Sequence, residues 1–195
     1  WHLDQWADDL EVFCKTLGID SPIVFGQSFG GMVAMHYAAR YPKSVAKLIL
    51  SSTAAQFRLD ETKKMMRKLG GDYAAEVAYQ FFSKPSQAAY DTYGKVCLPL
   101  YSNPNAPAAS NFRNRAIERP EVALHFFSYE MARMDMRSEI ASITCPTLVI
   151  GGTIDPVTPP ICSQVIADAI GKNAYLKLFE ACGHGPHRDN PDGAE

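Results

Sequence analysis

No apolar stretch of this chain comes near the ~20 residues that a membrane-crossing helix needs, and its longest candidates, such as 147–150, are only strand-sized. No block of like charge concentrates a field either. The 19 basic and 21 acidic residues are interspersed and leave a net charge of −2, so a nucleic-acid partner is not expected. The five cysteines (Cys14, Cys97, Cys145, Cys162, Cys182) are odd in number and form no C-x-x-C pair, which argues against a zinc site or a redox dithiol. Internal repeats and low-complexity segments are also missing. The expectation is a soluble globular protein that binds neither membrane nor polyanion, with cysteines used as small buried hydrophobes. Such usage suits a reducing compartment, so the cytoplasm is the expected location, with a leader ahead of the first residue left open. That first residue is Trp1 rather than methionine, and 191–195 reads as the opening of an uncompleted helix. Both ends read as cut.

What is present is a strand-helix order. Leu3, Trp6, Leu10, Phe13, Cys14 and Leu17 recur at helical spacing, with Asp4 placed to cap the start and Gly18 to end the helix in a left-handed turn. Pro22 introduces a short apolar strand at 23–25, and a small-residue helix spans about 29–40 before Pro42. A second buried strand follows at 45–50. Strand, helix, strand in this order implies a parallel sheet. From about 54 to 142 the pattern turns helical, broken by Pro85, Pro99, Pro104, Pro107 and Pro120, with no convincing strand. That stretch reads as an inserted helical lid. Its aromatics (Tyr73, Tyr79, Phe81, Phe82, Tyr90, Tyr93, Phe126, Phe127, Tyr129) are expected to form a small helical core first and to line an apolar pocket second. After Cys145-Pro146 come a strand at 147–150, a helix at 161–170 and a last strand at 175–179. The predicted organisation is a core at 1–53, a lid at 54–142 and the rest of the core at 143–195.

The strongest motif is Gly26-Gln27-Ser28-Phe29-Gly30, followed by Gly31. It has the form G-x-S-x-G and lies between an apolar strand and an alanine-rich helix. A serine on so tight a strand-to-helix turn is strained and crowded, so the residues two before and two after it are expected to be small. The turn raises the hydroxyl above the sheet at a helix N-terminus, where free N–H groups favour developing negative charge. Ser28 is therefore the candidate nucleophile, and the Phe29 backbone N–H a candidate oxyanion donor. Chance alone can supply five such letters; the strand-helix setting is what gives them weight.

A serine hydroxyl needs a base, and the base needs an orienting group. Asp155 lies in Gly151-Gly152-Thr153-Ile154-Asp155-Pro156, just past one strand, where ligands gather in open α/β sheets. An Asp-Pro turn without chemistry is the plainer reading of Asp155 taken singly. His184 follows the last strand in Ala181-Cys182-Gly183-His184-Gly185, between glycines that let a loop approach another backbone. His187, beside Arg188 and Asp189, is the near competitor and reads as part of a solvated turn. His36 sits on a helix, His125 in the lid and His2 near the chain start, none of them placed by local pattern at the mouth of the sheet. The order Ser28, Asp155, His184 is the one this architecture requires, with acid and base after separate strands. In that reading His184 takes the Ser28 proton and returns it to the leaving group, while Asp155 fixes the imidazole tautomer. Acylation should then rise with pH as the base loses its proton. No metal or organic cofactor is required.

With these residues in place the chain resembles the α/β-hydrolase superfamily, in particular the proline iminopeptidase-like serine hydrolases. The likeness runs through 1–18, Gly26 to Ala34, Cys145 to Ile150, Gly151 to Pro159, and Gly183-His184-Gly185-Pro186-His187-Arg188-Asp189. It implies a mostly parallel sheet with helices on both faces and an inserted lid. It also implies an acyl-enzyme serine hydrolase acting on a small-molecule or short-peptide substrate, removal of an N-terminal proline being the most specific expectation. A carboxylesterase or lactonase for small apolar acyl groups is the alternative, since these activities share the motifs. A non-catalytic ligand-binding module of the same fold is the rival from another class. Relatives hold the substrate amine with acidic side chains, and Glu121 and Glu130 are the lid's candidates, although a solvated face explains each of them more simply. Relatives also carry preceding strands and a His-Gly-Gly loop with a second oxyanion N–H. Without them this polypeptide alone is expected to be weakly active or inactive and to expose a central strand edge.

Overall fold

The computed structural model describes residues 1–106, 117 and 119–193. Among these residues four strands, β1 (Ile23–Gln27), β2 (Lys47–Ser51), β3 (Thr147–Gly152) and β4 (Ala174–Phe179), form one parallel sheet in the order β1-β2-β3-β4. Parallel neighbours need crossover connections, and helices supply them. The first, α1 (Leu3–Thr16), precedes β1 and packs on α2 (Phe29–Arg40), which links β1 to β2. Between β2 and β3 the described residues form α3 (Leu59–Ser83), α4 (Gln87–Val96), a 3-10 turn at Leu98–Tyr101, α5 (Pro120–His125), a π-helical turn at Phe126–Glu130 and α6 (Arg137–Ile140). Beyond β3 the described residues form α7 (Pro160–Ile170), between β3 and β4, a 3-10 turn at Gly171–Asn173 and the single turn α8 (Pro186–Asp189). Pro107, one of the expected breaks, lies outside the described residues.

Strand burial shows which side of the sheet holds the core. Leu48, Leu50 and Val149 are fully buried where α2 meets β1 and β2 and α7 meets β3 and β4. On the opposite parity Phe25, Ile49, Leu148 and Tyr175 stand side by side across the four strands. At the two edges Phe25 and Tyr175 are more than half exposed. The core extends from α2 and α7 into α3, α4 and the turn at Phe126–Glu130, with Met35, Tyr37, Met66, Phe81 and Ile143 buried in one continuous cluster. All five cysteines are free and buried, and burial pushes the Cys162 thiol up to about 12, so they pack as apolar groups.

Two local expectations change. Asp4 does not cap α1: His2 occupies the cap position without a side-chain bond, and the Asp4 carboxylate instead reaches His36 at 2.6 Å. Within the first turn of the helix it serves the macrodipole and the α1–α2 contact. Val45 lies ahead of β2, which starts at Lys47, because Ala46 N–H is taken by Pro22 O and the ladder opens only beyond it. Gly18 does take the left-handed conformation, at φ +64°, just past the end of α1.

Candidate active site

β1 ends at Gln27 and α2 begins at Phe29, leaving Ser28 alone in the turn. Its backbone sits at φ 53°, ψ −122°, a conformation costing an L-residue about 1–3 kcal/mol. Neighbours hold it there: Ser28 N–H donates to Ser51 O at 3.0 Å, and the Thr53 hydroxyl donates to Ser28 O at 2.7 Å. A Cβ on Gly26 would lie 2.5 Å from Gly30 O, so the residue two before the serine must be glycine. Two residues after it the expectation of crowding fails. A Cβ on Gly30 would meet nothing within 4 Å, whereas one on Gly31 would strike the Thr53 side chain at 2.6–2.7 Å. The helix turns Gly30 outward and Gly31 onto Thr53, just past the end of β2.

His184 reaches this turn from the loop after β4. Its Nε2 lies 2.8 Å from Ser28 Oγ, and its Nδ1 lies 2.9 and 3.0 Å from the two Asp155 oxygens. Asp155 is fully buried and His184 nearly so. The loop comes this close because Gly183 carries no Cβ, which would stand 2.2 Å from Tyr101 O, the carbonyl that accepts His184 N–H at 2.6 Å. A buried carboxylate must be hydrogen-bonded. Asp155 Oδ1 accepts Val157 N–H at 2.8 Å and Thr158 N–H at 2.9 Å, and Oδ2 accepts the Thr158 hydroxyl at 2.9 Å. Complete burial pushes the Asp155 carboxyl up, but the charge and hydrogen bond of His184, joined by these backbone N–H groups, outweigh it. The carboxyl is therefore held below its ordinary range. The Phe29 amide is the first N–H of α2, a position with no intrahelical acceptor at the positive end of the helix dipole.

The structure thus brings Ser28, Asp155 and His184 together and keeps the other histidines away. His36 bridges Asp4 and Glu139, and the His125 ring bonds to Trp1 O at 2.8 Å. His187 is not in a solvated turn: it is partly buried, its ring edge-on to Phe25 at 5.6 Å. Desolvation holds its pKa below the ordinary histidine value, assisted by the charge of Arg188.

Over Ser28 lies a cavity of about 420 Å³, within the size range of small-molecule sites. Both expectations for the aromatics of 54–142 hold for the same side chains. Phe81, Phe82, Tyr90, Tyr93, Phe126 and Phe127 all line the cavity, while Tyr73, Tyr79 and Tyr129 are exposed. Phe81, Phe82, Tyr93 and Phe126 are also buried members of the core cluster, with Tyr90 and Phe127 packed against it, so pocket wall and core are the same residues. Besides Ser28, polar side chains on the lining are few: Thr158, Tyr90, the Tyr93 and Tyr101 hydroxyls 2.7 Å apart, and Asp91, the one charged side chain among the described lining residues. Burial keeps the Tyr93 phenol well above its ordinary pKa. Glu121 and Glu130 do not line it; Glu130 accepts Leu3 N–H at 3.4 Å instead. Tyr101, Thr158 and Asp91 carry no motif, and only Thr158, three residues after Asp155, had a signal, the Asx-type turn that an aspartate favours. Among the described residues no helix is long and apolar enough to cross a membrane, and no cluster of ligating side chains could hold a metal ion.

Residues 1–191 match the family described as alpha/beta hydrolase fold. The chain belongs to that family. It is an enzyme, a hydrolase of the α/β fold, and it resembles proline iminopeptidases. One similar protein is proline iminopeptidase PfmaB of Pestalotiopsis fici, 31% identical over 98% of this chain and 71% of its own length. Another is the proline iminopeptidase of Clostridium botulinum, 29% identical over 95% of this chain and 67% of its own. The chain thus spans about two thirds of the length of these relatives. Among solved structures, an alpha/beta fold family hydrolase from Bacillus anthracis covers 99% of this chain and 71% of its own, with a TM-score of 0.68 at 20% identity. A thermophilic esterase from Thermogutta terrifontis covers 100% and 69%, with a TM-score of 0.62 at 24% identity. At these identities the structures establish the fold alone.

Proposed function

We propose that the protein is a serine hydrolase that cleaves an ester or amide bond through an acyl-enzyme, with Ser28 as nucleophile, His184 as general base and Asp155 as the orienting acid. The single observation that carries this reading is the unbroken chain from Ser28 Oγ to His184 Nε2 and from His184 Nδ1 to Asp155. As Oγ attacks the substrate carbonyl carbon, its proton passes to His184 Nε2, and the oxyanion that forms faces the Phe29 N–H. The tetrahedral intermediate collapses when His184 hands that proton to the leaving group. Water then repeats the sequence on the acyl-enzyme and frees Ser28. Asp155 keeps the Nδ1 proton in place and stabilises the imidazolium. No step needs a metal or a cofactor. Residues 54–142 act as the lid, and their aromatics take up the apolar part of the substrate. The free, buried cysteines favour a reducing compartment such as the cytoplasm.

Removal of an N-terminal proline is the specific activity we assign. The named relatives support it, and so does the cavity, whose aromatic walls suit a pyrrolidine ring while Asp91 offers a carboxylate to a substrate amine. The predominance of apolar walls favours a second reading, a carboxylesterase for small apolar acyl groups. Assays of the purified full-length protein with proline p-nitroanilide and with p-nitrophenyl acyl esters discriminate them. The first reading expects the anilide to be preferred in kcat/KM and Ser28→Ala to lose at least ~10³-fold on either substrate. Preference for the esters supports the second reading, and undiminished turnover by Ser28→Ala rejects the nucleophile.

A further inference from the structure

The residue in front of the nucleophile has a bond that the elbow itself does not require. Gln27 Nε2 donates to His184 O at 2.7 Å across 157 positions of sequence. Arg188 Nη2 donates to the same carbonyl at 2.9 Å, and Arg188 Nη1 donates to Gln27 Oε1 at 3.4 Å. Two side chains, one from the last residue of β1 and one from α8, therefore converge on one main-chain oxygen and on each other. On its other side His184 N–H is taken by Tyr101 O. Gly183 and Gly185 flank the histidine, and a loop so built has wide backbone freedom unless both of its peptide groups are tied. A Cβ on Gly185 would lie 2.3 Å from the Arg188 guanidinium, so the guanidinium lies flat against the loop it anchors.

We propose that Gln27 and Arg188 are positioning residues that set the distance between the His184 imidazole and the Ser28 hydroxyl. The inference rests on the nucleophile and base assigned above and adds a rigid bracket between them. Gln27 shares a peptide bond with Ser28, so any movement of the elbow carries the His184 carbonyl with it. Base and nucleophile thereby move as one unit instead of as two independent loops. Arg188 doubles the hold with a charged donor, and a charge-assisted bond is roughly twice as strong as a neutral one. Neither side chain needs to touch the reacting atoms. The gain is in orientation, and a misplacement of about 1 Å at a reacting centre costs on the order of 10²-fold in rate.

The test compares Gln27→Met, Arg188→Met, their double variant and Arg188→Lys, in the full-length protein, by turnover of a chromogenic substrate, inactivation by a fluorophosphonate and melting temperature. Each Met variant should lose about 10- to 100-fold in kcat and in inactivation rate, with KM changed less than threefold. The double variant should lose less than the product of the two single losses, because both residues hold one carbonyl. Arg188→Lys, which keeps one charged donor, should recover part of the Arg188→Met loss. Unchanged kcat in both Met variants, or losses that multiply, would overturn the bracket. Should Gln27→Met fail to fold, Gln27→Glu keeps the length and the acceptor for Arg188 but loses the donor, and unchanged kcat there is equally fatal. Ser28→Ala separates the two claims: if it stays active the nucleophile is wrong, and if it is dead while the bracket variants are normal only the positioning claim fails.

Discussion

His184 Nε2 stands 2.8 Å from Ser28 Oγ although 156 positions separate the two residues in the chain. Three loops, after β1, β3 and β4, meet at the carboxyl ends of the strands to make that contact, and the partners of Asp155 give it a direction. Replacing Asp155 with asparagine keeps the volume but reverses the tautomer that His184 must hold. The expected loss in kcat is about 10⁴-fold, with thermal stability at neutral pH lowered because the backbone donors then face an uncharged acceptor.

The same residue governs the acid limb of stability. The folded-state pKa of Asp155 lies below its ordinary value, so the native state binds fewer protons than the unfolded state through that interval. Its contribution is fully present above the unfolded pKa, near 3.8, and is lost as pH falls through the folded value. Chemical denaturation between pH 2 and 6 should show a shallower fall for Asp155→Asn than for the parent. Parallel curves would count against the shift.

His187 acts in a neighbouring window. Desolvation against Phe25 lowers its pKa from 6.5, so the folded state resists protonation and this contribution is present above about pH 6.5 and lost as pH falls through the folded value. His187→Leu removes the titration while filling the space. Melting temperatures of the variant and the parent should converge or cross as pH drops from 8 to 5, with activity little altered.

Substitution at the two glycines after the elbow separates crowding from mere permissiveness. Gly31→Ala forces a methyl group into Thr53 and should destabilise by about 1–3 kcal/mol, weakening the Thr53 bond that holds Ser28 O. Gly30→Ala has open space and should gain up to ~1 kcal/mol from helix propensity. Urea midpoints of the two variants measure the contrast directly.

Where the sequence was legible, periodicity and punctuation carried the information. Gly18 and Pro42 ended their helices, the four strands lay where β-branched and apolar runs predicted, and Ser28, Asp155 and His184 were found as the residues at strand ends. What could not be read were relationships between segments that no spacing rule connects. Gln27 is only a variable letter inside G-x-S-x-G, and Arg188 only a charged residue near the chain end, until the fold sets both on His184 O. The aromatics were similarly ambiguous, because hydrophobicity is the same for a core and for the wall of a pocket. Gly30 and Gly31 are indistinguishable letters until Thr53 lies against one of them.

The parallel order β1-β2-β3-β4 also constrains the time at which competence is reached. Every strand pair is joined through an intervening helical segment, and the β2–β3 pair closes a loop running from Ser51 to Thr147. Pairings so distant are slow to form. Ser28 and His184 lie on opposite sides of that closure, so the hydroxyl meets the imidazole only where β3 is paired with β2 and β4 with β3. In the proposed mechanism, reactivity at Ser28 is then a property of the paired strands together and of no single segment of the chain.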